Sequence, residues 1–148
     1  MPRNARCECG SFKLVVDGEP AFCGVCSCLS CQRRSGSIIG AAAAFHKEGV
    51  TILGQYKTFV RQGDSGGKIY QHFCPECGTT VLWDGDFAPG FRIVAIGCFA
   101  DPTFPPPQIA LYDRSRHPWL TLPKDLPTFE SDAPPAEIAA GLTKRDGS

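Results

Sequence analysis

Nine cysteines in a chain of 148 residues constrain this fold more than any other feature of it. They fall as Cys7-Glu8-Cys9, as the cluster Cys23, Cys26, Cys28 and Cys31, as Cys74-Pro75-Glu76-Cys77-Gly78, and as the solitary Cys98. An odd number cannot pair off completely, and Cys7 and Cys9, like Cys26 and Cys28, are too close in sequence to cross-link easily with each other. Thiols grouped at such short intervals point to metal binding, which also suits a reducing compartment.

The rest of the composition narrows the partners. Fifteen basic and fifteen acidic side chains cancel, and no block of Lys or Arg exceeds two residues, so neither a nucleic acid nor a membrane surface is an expected partner. MPRNARCECG lacks the apolar core of a secretion signal, and no run approaches the roughly 20 apolar residues of a membrane span. The expectation is a soluble, cytoplasmic chain, with residues 1–148 forming a single domain.

Short alternating or apolar stretches bounded by turn residues predict a mainly β fold. The expected strands are Phe12 to Val16, Thr51 to Val60, Lys68 to Phe73, Thr79 to Trp83 and Phe91 to Gly97. Asp17-Gly18, Glu48-Gly49, the stretch from Gly63 to Gly67 and Asp84-Gly85-Asp86 supply chain reversals. Ser37 to Phe45, SIIGAAAAF, reads as a strand of small residues rather than a helix, because it is short and glycine-bearing. From about residue 101 prolines become frequent and predict ordered loop. Ser131-Asp132, Pro134-Pro135 and AEIAAGL predict a short C-terminal helix closed by Gly141, with 143–148 as a frayed tail.

Cys74-Pro75-Glu76-Cys77-Gly78 lies between two expected strands, the setting of a zinc knuckle that aims two thiolates at one point. Cys7 and Cys9 are the available second pair, and joining the pairs closes a loop of 77 − 7 = 70 residues. Apparent binding of a structural zinc is worth on the order of 10 kcal/mol, comparable with the whole net stability of a domain. The second cluster is less determined: four ligands including Cys23 would make a closed centre, whereas Cys26, Cys28 and Cys31 alone would leave one position open.

The order of CECGSFKL, CSCLSCQRRSGS, FCPECGTTV and ALYDRSRHPWL resembles the glutathione-dependent formaldehyde-activating (GFA) family, whose relatives include the GFA-like domain of centromere protein V. The resemblance covers roughly residues 5 to 130. It implies a β-tent fold with two zinc ions per chain, one on Cys7, Cys9, Cys74 and Cys77 and one on Cys26, Cys28 and Cys31. It also implies carbon–sulfur lyase chemistry of the S-(hydroxymethyl)glutathione synthase type, on a small thiol adduct such as that of glutathione and formaldehyde. Two departures stand out: Ser27 occupies a position where members commonly carry His, and Cys23 is an additional thiol.

On this reading Cys26, Cys28 and Cys31 hold the reactive metal. Three thiolates on Zn²⁺ leave one formal negative charge, a weak Lewis acid that still lowers the pKa of an incoming thiol. Arg33 and Arg34, directly after the cluster, match the carboxylates of a glutathione-like tripeptide. Arg114, Arg116 and Trp119 form a late group that is either part of the site or plain surface. Cys98 and Trp83 read as core, and His46, His72 and His117 stand at no ligand spacing, although His72 alternates onto the strand face of Cys74. The alternatives to an enzyme are an interaction module with two structural zincs and a redox sensor pairing Cys23 with Cys26.

Overall fold

Alternation of apolar and polar residues is what turns most of this chain into strands. A computed structural model describes residues 1–64 and 66–132. Its elements are β1 (Arg3–Arg6), β2 (Lys13–Val16), β3 (Phe22–Cys26), α1 (Leu29–Ser35), β4 (Gly40–His46), β5 (Val50–Leu53), β6 (Lys57–Gln62), β7 (Lys68–Phe73), β8 (Thr80–Gly85), β9 (Phe91–Ala95) and β10 (Ile109–Leu111). The class is mainly β, as expected, with one α-helix among the described residues. The predicted C-terminal helix and the tail at 143–148 lie outside the described residues.

The chain divides into two compact units, each discontinuous in sequence. The first comprises Met1–Pro20 and Ala44–Phe104. It contains the antiparallel sheet β1-β2-β5, in which Ala5 faces Leu14 and Leu14 faces Ile52. It also contains the antiparallel meander β6-β7-β8-β9, with Thr58 opposite His72, Tyr70 opposite Asp84 and Leu82 opposite Val94. Phe12, Leu14 and Val16 alternate inward from β2 and its approach, and with Phe45, Val81, Leu82 and Val94 they are completely or almost completely buried. Each such side chain contributes about 1.5–3 kcal/mol by leaving water. The rings of Phe45, Phe99 and Phe104 follow one another at centroid spacings of 6.0 and 4.8 Å.

The second unit comprises Ala21–Ala43 and the chain from Pro105 onward. Here β10 pairs in parallel with β3, setting Ile109 against Gly24 and Leu111 against Cys26. Gln108 fixes the start of this ladder twice: its Oε1 accepts from the Cys23 N–H and its N–H donates to the Cys23 carbonyl, both at 2.9 Å. Residues 127–131 continue alongside, with Ala110 N–H donating to Pro127 O and Phe129 N–H to Ala110 O.

Three local readings change. The stretch from Thr51 to Val60 is two strands, because Gly54 takes φ +93° and passes so close to Ser11 that a Cβ there would sit 2.0 Å from its carbonyl oxygen. The proline-rich region contains β10 directly after Pro105-Pro106-Pro107, where the prolines end and the N–H groups return. The short helix α1 was masked by its composition: Cys, Ser, Gln and two Arg show no apolar period, and none of its residues is buried. SIIGAAAAF does contain a strand, Gly40–His46.

Candidate metal centres

The first centre is built by two tight turns of the first unit. Cys7 follows β1; its N–H donates to Phe12 O at 2.9 Å, its carbonyl accepts from Gly10, and its sulfur accepts from the Phe12 N–H at 3.3 Å. Cys74 follows β7 just past a register shift at His72 and Phe73, and repeats the pattern: its N–H donates to Thr79 O, its carbonyl accepts from Gly78, and its sulfur accepts from the Glu76 N–H. A loop that wraps its own cysteine in this way leaves the thiolate accepting from N–H groups and pointing at one spot. Cys7 Sγ lies 3.7 Å from Cys9 Sγ, and Cys9 Sγ lies 3.7 Å from Cys74 Sγ. Zn–S bonds of about 2.3 Å in a tetrahedron set sulfurs about 3.8 Å apart, so this arrangement fits zinc. All four sulfurs, those of Cys7, Cys9, Cys74 and Cys77, lie within 4.8 Å of one another.

Two hydroxyls stitch the turns together. Ser11 Oγ stands 3.1 Å from Cys9 Sγ and 3.2 Å from Cys74 Sγ. Thr79 Oγ1 donates to Cys77 Sγ at 3.3 Å while accepting from the Glu8 N–H at 3.1 Å. These contacts favour thiolates: Ser11 holds the Cys74 thiol below its ordinary value, and Thr79, with backbone N–H donors, lowers Cys77 to about 5. Neither hydroxyl stands out in the sequence, although both follow a cysteine by two residues, the reach of a hydroxyl across a tight turn.

The second centre is local and lies in the second unit. Cys26 ends β3, Cys28 is the N-cap of α1, and Cys31 sits in its first turn. The three sulfurs lie within 4.8 Å of one another, again a separation that fits thiolates sharing one ion. Cys28 Sγ accepts from the Cys31 N–H at 3.3 Å, the hydrogen bond of a helix cap, and Cys26 Sγ accepts from the Cys28 N–H at 3.5 Å. Within the cluster the neighbouring thiols of Cys26 and Cys31 hold Cys28 well below its ordinary value, and those of Cys28 and Cys31 push Cys26 up. Gly40 is buried, and a Cβ there would come 3.3 Å from Cys31 Cβ and 3.1 Å from an Arg34 nitrogen.

Cys23 is fully buried on β3 and stands outside the trio. Arg33 and Arg34 occupy the last turn of α1; Arg33 is exposed and Arg34 is half-buried. Ser27 is buried, donating to Leu111 O and accepting from Gln32 Nε2 at 2.9 Å. Cys98 is half-buried with its sulfur 3.9 Å from Thr80 O, and Trp83 is core.

The late group is dispersed in role. Arg116 is paired with Asp113 at 2.5 Å and donates to Leu120 O, Arg114 stacks over Tyr112 at 5.5 Å, and Trp119 is 71% exposed. His117 Nε2 lies 3.2 Å from Gln32 Oε1 on α1. His72 belongs to neither centre: it joins Thr58 and Asp84 at 2.9 Å each, and Asp84 in turn accepts from Arg92.

A mainly β scaffold carrying one four-sulfur and one three-sulfur cluster defines a class of protein with two distinct thiol clusters, each of which could hold a metal ion. Residues 2–115 match the model of the family described as glutathione-dependent formaldehyde-activating enzyme, and the chain belongs to that family. Its fold is similar to the crystal structure of a Rhodobacter sphaeroides protein determined as a structural genomics target, at a TM-score of 0.50 and 20% identity, covering 70% of this chain and 91% of that one. No curated protein matches the sequence. Among the described residues, no helix is long and apolar enough to cross a membrane.

Proposed function

We propose that this chain is a zinc-dependent carbon–sulfur lyase acting on an S-hydroxymethyl thiol such as the glutathione–formaldehyde adduct, working in the cytoplasm as one domain with two zinc ions. The observation that carries the reading is the inequality of the two clusters, four sulfurs in one and three in the other. Cys7, Cys9, Cys74 and Cys77 would complete a tetrahedron and act as a structural centre, whereas Cys26, Cys28 and Cys31 would leave a position for a substrate sulfur. When bound there, zinc lowers the pKa of an incoming thiol and holds it as thiolate.

The chain's own residues supply the rest. The cap geometry of Cys28 fixes its sulfur at the start of α1, and the buried position of Cys23 supports a centre that it does not close. Arg33 and Arg34 offer guanidinium forks for the substrate's carboxylates, Arg33 from the exposed side of the last helical turn. The family's description supports glutathione and formaldehyde as the small molecules concerned.

The test combines zinc counting with exchange spectroscopy on glutathione and ¹³C-formaldehyde. The wild-type chain, carrying two zincs, accelerates exchange between free formaldehyde and the adduct; Cys28→Ser abolishes the acceleration and keeps the β circular dichroism. A chain with both zincs bound and no acceleration overturns the proposal.

A further inference from the structure

Adding a thiol to formaldehyde moves one proton: the S–C bond forms, the C=O π bond breaks, and the thiol proton must reach the new hydroxyl oxygen. Three cysteines engaged as ligands cannot carry it. Beside their helix the structure places an imidazole to which no role has been assigned, that of His117. Gln32 follows Cys31 in α1, and its amide is fully directed: Nε2 donates to Ser27 O at 2.9 Å and to Ser115 O at 3.2 Å. Ser27 is the residue between Cys26 and Cys28, so this amide is anchored on the backbone of the cluster itself.

Both Nε2 hydrogens are committed to carbonyls, which leaves Oε1 as the atom facing His117 Nε2 at 3.2 Å. A carbonyl oxygen only accepts, so His117 donates from Nε2. Its tautomer is thereby fixed, with the proton on Nε2 and the lone pair on Nδ1. Nδ1 has no hydrogen-bond partner among the described residues; the ring's remaining contact is edge-on to the exposed Trp119, at a centroid distance of 6.1 Å. A histidine oriented from behind through one nitrogen, with the other left over, is the arrangement of a general base held in position by a third group.

We propose that His117 is the proton-exchanging residue of the reaction and Gln32 the residue that positions it. This rests on the lyase reading above. In the direction of adduct formation, Nδ1 takes the proton from the thiol, the sulfur's electron pair forms the S–C bond, the π pair moves to oxygen, and Nδ1 returns the proton to that oxygen. Breakdown of the adduct runs the same transfers backwards, so the imidazole ends each turnover unchanged.

The test uses zinc-loaded wild type, His117→Ala and Gln32→Leu. General acid–base groups contribute typically about 10²–10⁴-fold, and His117→Ala is expected to lower kcat by at least about 100-fold, leave KM and zinc content unchanged, and regain activity with added imidazole. Gln32→Leu is expected to lower kcat by about 10-fold and to lose the tautomer preference. ¹⁵N NMR of wild-type His117 should show the Nε2–H form. Wild-type turnover that persists within threefold in His117→Ala overturns the assignment, as does a loss of activity accompanied by zinc loss and no rescue. An Nδ1–H tautomer refutes the positioning geometry independently of any activity. Absence of turnover in the wild type itself refutes the lyase reading, and this role falls with it.

Discussion

Two glycines with nearly the same backbone conformation isolate what holds the first metal centre together. Gly18 has φ +83° with nothing within 4 Å of the point where a Cβ would stand, whereas Gly54 has φ +93° and its Cβ would lie 2.0 Å from Ser11 O and 3.4 Å from Phe12 Cα. Alanine at Gly18 meets only the left-handed strain of about 1–2 kcal/mol, partly offset by the about 0.4–1 kcal/mol gained through a less flexible unfolded chain. Alanine at Gly54 meets the same strain and also forces two backbones apart by more than about 1 Å, since non-bonded contact needs well over 3 Å. A total of at least about 3 kcal/mol is expected there. At about 2–4 °C per kcal/mol for a chain of this size, Gly18→Ala should lower Tm by about 2–4 °C and Gly54→Ala by about 10 °C. The displaced segment carries Ser11, whose hydroxyl lies against Cys9 and Cys74, so Gly54→Ala should also lose metal from the first centre earlier in a chelator titration. Calorimetry with parallel zinc counting reads both quantities. Equal Tm values for the two variants, with equal zinc retention, would refute the argument.

Thr79→Val removes the hydroxyl donor to Cys77 at nearly constant shape. Cys77 is lowered to about 5, so its contribution is present above the ordinary thiol value of about 8.5 and lost as pH falls through about 5; without the donor, half-release of the first metal should move to higher pH, with an affinity loss of about 10-fold in competition at neutral pH. An unchanged acid midpoint would show that Thr79 does not act on the thiolate. Cys23→Ser should leave the affinity of the second centre unchanged, because Cys23 lies outside the trio, while Cys28→Ser weakens it by removing both a ligand and the cap of α1; a chelator titration showing weaker metal binding in Cys23→Ser would place that thiol in the centre after all.

The parts of this structure that were legible in the sequence are those fixed by spacing. CPxCG between two strand patterns dictates a turn that presents both sulfurs, and CxCxxC closes on itself because a strand end, a cap and a first helical turn follow within six residues. The alternation in FKLVV likewise appears directly as β2, with Leu14 and Val16 buried. What escaped was decided by partners distant in sequence. Ile109–Leu111 is a strand because β3 offers a parallel edge 85 residues earlier, as Gln108 and Cys23 already show. Gly54 interrupts a convincing strand pattern because Ser11 approaches it, and no local rule contains that contact. His117 stands at no ligand spacing; its interest arises from Gln32, whose two amide donors are consumed by the carbonyls of Ser27 and Ser115, and the second of these partners, like His117 itself, is more than 80 residues away in sequence.

The ligands of the two centres differ sharply in how much chain separates them. The trio is complete once residue 31 has been made, but the first centre waits for Cys77, long after Cys7 and Cys9 have emerged. Closing a loop of that length costs more entropy than closing a six-residue one, and the cost is met only when β7 and β8 can pair to shape the second turn. During vectorial synthesis a trio that binds zinc as proposed would therefore capture its ion first, while the early thiols would pass through a period of exposure. On the proposed assignment, a cell short of zinc would accumulate chains loaded at the trio and unfastened at the four-sulfur cluster, a population that proteases recognise before any assay does.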